Sequence, residues 1–224
     1  PYLAATREMM RIAPSDAIAI GYHAHALSRA EPKTDIRSLL RRALELKPDY
    51  LFPALRLADM ELADNNLDAA QAVLEAISKH SQSASIRSRQ VILAAAQGRE
   101  DGWKSGFREL LFHPQYDADA CSDAVAGLRK QNRLPELIRI LDSVVLEEKA
   151  NPDAGRLWIE LRASRFPAWL PRLTRVLRNG ALGRQAGHAY IDHLQKTKGR
   201  LLLEWFVWRH RAWLDADTET LGLV

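Results

Sequence analysis

From Leu51 to Gln82, apolar residues recur at helical spacing in two blocks separated by a polar break. Ala54, Leu57, Ala58 and Leu62 share one stripe, Asn65 and Asn66 interrupt it, and Ala70, Leu74 and Ile77 form the second. This predicts two antiparallel helices joined by a tight turn. The same sequence of stripe, break and stripe continues in both directions. Tyr2 to Ile12 predicts a helix closed by Pro14. Ala17 to Tyr50 predicts a complete pair, with Ile20, His23, Ala24 and Leu27 facing inward first, a loop at Glu31-Pro32-Lys33-Thr34, and then Ile36, Leu40, Ala43 and Leu44.

A third pair, Ser85 to Ala118, sets Val91, Ile92 and Ala95 before a Gly98 to Gly102 turn and a helix carrying Phe107, Leu110 and Leu111. The fourth has Cys121, Val125 and Leu128, a turn at Asn132-Arg133-Leu134, and Leu137, Leu141 and Val144. The fifth has Ala154, Leu157, Trp158 and Leu161, a turn at Phe166-Pro167, and Leu170, Leu173 and Leu177. The sixth has Gly187, Tyr190, Ile191 and Leu194, a turn at Lys198-Gly199, and Leu203 and Val207. Asp215 to Val224 begins another helix. Successive inward registers step by 34, 34, 33, 33 and 33 residues. The helix from Leu201 to Trp208 is apolar nearly all round, which predicts cover on both sides or an apolar end open to self-association.

This spacing resembles the tetratricopeptide repeat, a unit of about 34 residues that places small residues where its two helices cross closely. Ala58 and Ala70 occupy those places, and Arg42-Ala43-Leu44-Glu45-Leu46-Lys47-Pro48-Asp49 is similar to the family's closing phrase. The third unit departs from the pattern, with Lys104 where an alanine is usual. Trp158 at the close-packing place resembles the related half-a-TPR repeats of RNA-processing scaffolds. The resemblance implies an all-α, right-handed superhelical solenoid over residues 1–224, with about six helix pairs and partial units at both ends. Because Pro1 opens inside a repeat, the chain is expected to be a piece of a longer one.

The composition, 47% apolar and 27% charged, belongs to a soluble globular protein. Leu201 to Trp208 is interrupted by Glu204 and is far shorter than a membrane span. No signal peptide is visible, which favours the cytoplasm and leaves the periplasm open. A lone cysteine, Cys121, excludes an internal disulfide and a cysteine-based zinc site. The net charge of +4 inclines the chain toward anionic partners without requiring nucleic acid.

His23 and His25 diverge on a helix, and His188 with Asp192 lacks a third ligand, so no metal site is expected. Without a phosphate loop, nucleophile elbow or paired cysteines, neither catalysis nor a cofactor is expected. The resemblance instead implies a protein-interaction scaffold that holds a partner segment in a groove lined by first helices. Its groove places fall on Tyr22, His25 and Arg29, then Phe52, Arg56 and Asp59, then Arg89, Gln90 and Gln97. Arg29, Arg56 and Arg89 would form a basic track for an acidic or C-terminal peptide. The family's chaperone-tail clamp is absent, since Gly21, His25, Arg56, Ile86 and Gln90 stand at its places. Two other functions remain open: a noncatalytic helical segment of a larger enzyme or polysaccharide-export machine, and RNA binding through Arg172, Arg175 and Arg178 within the acid-free stretch Arg162 to Arg184.

Overall fold

Short turns between amphipathic stripes leave each helix little choice but to fold back on its predecessor. The computed structural model describes residues 1–113, 117–147, 149–162, 170–197 and 199–215, and every regular element among them is an α-helix. The chain divides into two compact units, Pro1–Gly106 and Phe107–Val224.

In the first unit, α1 (Tyr2–Ile12), α2 (Ala17–Ala30), α3 (Arg37–Leu46), α4 (Leu51–Ala63), α5 (Leu67–Ser78) and α6 (Ala84–Ala96) pack in order, each on the next, and α4 also touches α6. α7 (Glu100–Leu111) crosses the division. The expected stripes are the core. Ala24, Ile36, Leu40 and Leu57 form one buried cluster; Ala54, Ala58, Ala70, Leu74, Ile77, Ile86 and Leu93 form another. Ala58 and Ala70 are fully buried, as close crossing of α4 and α5 requires.

The second unit contains α8 (Ala118–Lys130), α9 (Leu134–Val144), α10 (Asp153–Arg162), α11 (Leu170–Val176), α12 (Gly180–Lys196), α13 (Arg200–Arg209) and α14 (Arg211–Asp215). Cys121, Leu128, Leu137, Leu141, Val144 and Trp158 are buried here, Cys121 as a free thiol.

Caps and turns repeat with the helices. Asp16 accepts the Ile18 N–H at the start of α2, Ser83 caps α6 through Ile86, and Asp117 caps α8 through Asp119 and Ala120. Between α4 and α5, Asn65 adopts φ 60° and the Asn66 N–H bonds the Glu61 carbonyl at 2.8 Å. Gly98 (φ 71°) with Arg99 on Ala94, and Asn132 (φ 61°) with Arg133 on Leu128, close the next two hairpins in the same way. A left-handed residue followed by a long back-bond satisfies the orphan carbonyls of the ending helix.

Two expectations need correction. α6 begins at Ala84, thirty-three residues after Leu51, so the third unit starts one residue earlier than expected. Val91 is buried as expected, but Trp103 is buried in place of Lys104, and Ile92 and Lys104 lie at the margin. A side chain on Gly106 would meet Val91 Cγ2 at 2.9 Å, so glycine permits the approach of α7 to α6. Next, α10 packs chiefly on α12, because α11 is short and Gly155 lets α12 come close: a Cβ there would collide with the Leu182 carbonyl. α13 carries the exposed apolar surface that was one of the two expectations for it. Phe206 is its buried residue, Leu203 and Val207 are half-buried, and Leu201 and Trp208 are exposed. The Phe166-Pro167 turn, Arg165, Trp169, Lys198 and the helix expected after Asp215 lie outside the described residues.

Candidate functional face

α2, α4 and α6 place the expected groove residues of the first unit. His25 on α2 stands edge-on to the Phe52 ring of α4, with centroids 5.6 Å apart, and to the Tyr2 ring of α1 at 6.4 Å. Phe52 in turn lies 6.3 Å from Tyr50, so Tyr2, His25, Phe52 and Tyr50 make a continuous row of rings. Tyr50 lies over Gly21, where a Cβ would come within 2.8 Å of its ring. Tyr22, one turn before His25, is 48% exposed.

The expected basic track is shorter than the sequence suggests. Arg89 is clamped to Asp59 through two bonds, Nε to Oδ1 at 3.0 Å and Nη2 to Oδ2 at 3.1 Å. That bidentate pair ties α6 to α4 and neutralises both charges. Gln90 turns toward α5, where its amide donates to Ser78 Oγ at 2.9 Å, and it lines a small cavity of about 270 Å³ with Gln71, Arg87 and Arg99. Gln97 donates to Gln71 Oε1 at 2.8 Å. The one-residue change in register accounts for Gln90 leaving the face. Arg29 and Arg56 remain exposed and make no ion pair among the described residues.

Two carboxylates that periodicity treats as solvent-facing are structural hubs. Glu61, with its side chain 4% exposed, accepts from Arg41 at 2.9 Å and Asn66 at 3.0 Å and lies 3.4 Å from Arg37 Nε. Arg37 also pairs with Asp64 and Asp35. In the second unit, Asp142 accepts the Trp158 indole N–H at 2.8 Å and pairs with Arg162 and, at 2.7 Å, with Arg172. Of the arginines expected to form an outer basic face, Arg172 is thus turned onto Asp142, while Arg175 and Arg178 are exposed. The i, i+4 spacing of Arg37 and Arg41 on α3 and the i, i+3 spacing of Arg172 and Arg175 on α11 are visible in the sequence; the carboxylates that Arg37, Arg41 and Arg172 pair with are not.

No group of three or more His, Cys, Asp or Glu capable of holding a metal occurs among the described residues. Asp192 pairs with Lys196 at 2.6 Å. Among the described residues no helix is long and apolar enough to cross a membrane.

Two histidines have their pKa lowered by their surroundings. His23 shares a 3.2 Å hydrogen bond with the buried Thr6, and its pKa is lowered first by burial and then by Arg7. His210, against the Phe206 ring at 4.8 Å, is lowered by burial and by Arg209. In each case the unfolded chain binds a proton more readily than the folded one, so stability is present above about pH 6.5 and is lost as pH falls through the lowered native values. Urea midpoints should fall on acidification from pH 7 to 5, and a His23→Gln, His210→Gln variant should flatten that slope.

No family model and no curated protein matches the sequence. Solved structures are similar at low identity, two of them as follows. YrrB, described as a TPR protein with an unusual peptide-binding site, has a TM-score of 0.48 and 14% identity over 83% of this chain and 97% of its own. The Naa15/Naa10 assembly bound to HypK has a TM-score of 0.42 and 14% identity over 99% of this chain and 35% of that chain.

Proposed function

We propose that this all-α array of helix hairpins is a non-catalytic protein-interaction scaffold whose α2, α4 and α6 face receives a partner segment. The observation that carries this reading is the row of rings from Tyr2 to Tyr50 beside the unpaired Arg29 and Arg56. Rings give rigid contact area at low entropic cost, and free guanidinium groups bind carboxylates in two-point fashion. A segment with an aromatic or proline side chain near an acidic residue satisfies both.

Arg89 is a poor probe, because its replacement would release Asp59. An arrayed peptide library with acidic, neutral and basic members tests the reading directly. Acidic peptides with a nearby ring should be retained, and Arg29→Glu, Arg56→Glu should weaken them by about tenfold or more, the scale of a lost charged hydrogen bond. Equal retention of acidic and neutral peptides, or unchanged affinity in the variant, would remove the face from consideration.

A further inference from the structure

Gln90 leaves the expected face to line a cavity between α5, α6 and α7, wholly within the first unit and about 270 Å³ in volume. Glycine keeps the space open. Gly102 and Gly106, one turn apart on α7, both line it and carry no side chain to fill it. At water's share of about 30 Å³ per molecule, the cavity has room for about nine non-hydrogen atoms.

The lining divides by chemistry. Leu74 of α5 and Val91, Leu93 and Ala94 of α6 supply an apolar wall. Glu75 of α5 and Arg99, just before α7, border the same space with opposite charges, and both are exposed. Neither makes an ion pair, with the other or elsewhere among the described residues. Glu75 accepts the Gln71 amide at 2.7 Å, which leaves its charge unbalanced. Arg87 adds a second guanidinium to the lining, and the Gln90 amide is already committed to Ser78.

We propose that this cavity binds a free aliphatic α-amino acid. The ligand carboxylate pairs with Arg99, its ammonium with Glu75, and its side chain lies against Leu74, Val91 and Leu93. Charge-assisted hydrogen bonds are the strong ones, and a zwitterion makes them with both groups at once. A simple anion would leave Glu75 unanswered, and a purely apolar molecule would leave both charges so. A peptide fits less well, because each of its ends carries the ammonium or the carboxylate and not both on one carbon. Leucine is a molecule of the size the cavity holds. The site shares α6 with the proposed partner face but uses neither Arg29, Arg56 nor the row of rings, so the two readings can fail separately.

Calorimetric titration of the whole chain with L-leucine tests it. Saturable binding at millimolar concentration or below is expected. L-Leucinamide lacks the carboxylate and N-acetyl-L-leucine lacks the ammonium; each should bind about tenfold or more weakly, the scale of a lost hydrogen bond to a charged group. Arg99→Gln should bind L-leucine and L-leucinamide alike, and Glu75→Gln should bind L-leucine and N-acetyl-L-leucine alike. A merely structural role for either residue would leave both preferences in place. Gly102→Leu should fill the cavity and abolish binding, while Arg29→Glu, Arg56→Glu should bind as the parent does. Circular dichroism checks that each variant is folded, and the exposed positions Arg99 and Glu75 carry the test if Gly102→Leu is not. No binding of L-leucine, L-isoleucine or L-valine overturns the proposal, as does binding that amidation or acetylation leaves unchanged. So does full binding by folded Gly102→Leu, which would place the ligand elsewhere.

Discussion

Glu61→Ala should destabilise the first unit by about 3 kcal/mol, the lower end of the range for removing one partner of a buried ion pair. The Glu61 side chain is 4% exposed and joins α4 to two arginines of α3, Arg37 and Arg41. Alanine would leave those guanidinium groups and the Asn66 amide without their acceptor. Arg37 keeps Asp64 and Asp35, and Arg41 is half-exposed, which is why the upper end is not expected. Glu61→Gln retains a neutral acceptor for Arg41 and should recover part of the loss. Hydrogen exchange is the suitable measurement, because it reads each unit separately: amides of α3, α4 and α5 should lose protection while those of α10 and α12 do not. Equal protection in Glu61→Ala and the parent would show that the network stores no stability.

Gly155→Val should be comparably damaging in the second unit, by about 3 kcal/mol, the upper end for overpacking a tight interface. Even a bare Cβ at this position would collide with the Leu182 carbonyl and approach Ala186 Cβ and N at 3.1 Å. Those atoms belong to the backbone and the shortest side chain of α12, so no rotamer change relieves the contact. Gly102→Ala on α7 is the matching control. Its nearest neighbour would be Arg99 Cβ at 3.6 Å, an ordinary contact, so this change should stabilise the helix by about 0.5–1 kcal/mol. Opposite signs for the two glycines in thermal or urea unfolding are the expected result. A gain at both positions would mean that backbone entropy, and not close approach, governs them.

Most of the helix boundaries follow from periodicity because the core of each unit is built from repeated, mutually reinforcing signals. Ala58 and Ala70 announce a close crossing, Asn65 and Asn132 announce turns, and Tyr2 to Ile12 is the first helix as expected. Register is harder. One residue separates Lys104 from Trp103, and only the structure shows that the tryptophan is the buried one, with Gly106 making room beside Val91. That single step also moves Gln90 off the expected face. Pairing across helices is harder still, because periodicity assigns charges to solvent by default. Arg89 with Asp59, Glu61 with Arg37 and Arg41, and Asp142 with Trp158 and Arg172 all depend on positions 16 to 30 residues apart. Likewise, nothing in the stripes of α10 and α11 says that α12 will displace α11 as the main neighbour of α10. Glycine at 155 is the local cause, and its meaning appears only when the opposing carbonyl is placed.

The three left-handed turns at Asn65, Gly98 and Asn132 constrain how a gene for this chain can change length. Each turn finishes its hairpin locally, with a back-bond that needs nothing from the following pair. Gain or loss of one entire hairpin therefore leaves every remaining turn and crossing of the same kind as before. A single inserted codon within α5 has the opposite effect: it rotates all later positions of that helix by about 100° and carries Leu74 or Ile77 away from Ala58. A change of length that keeps every crossing is therefore expected to come in units of a hairpin, about 33 or 34 residues long.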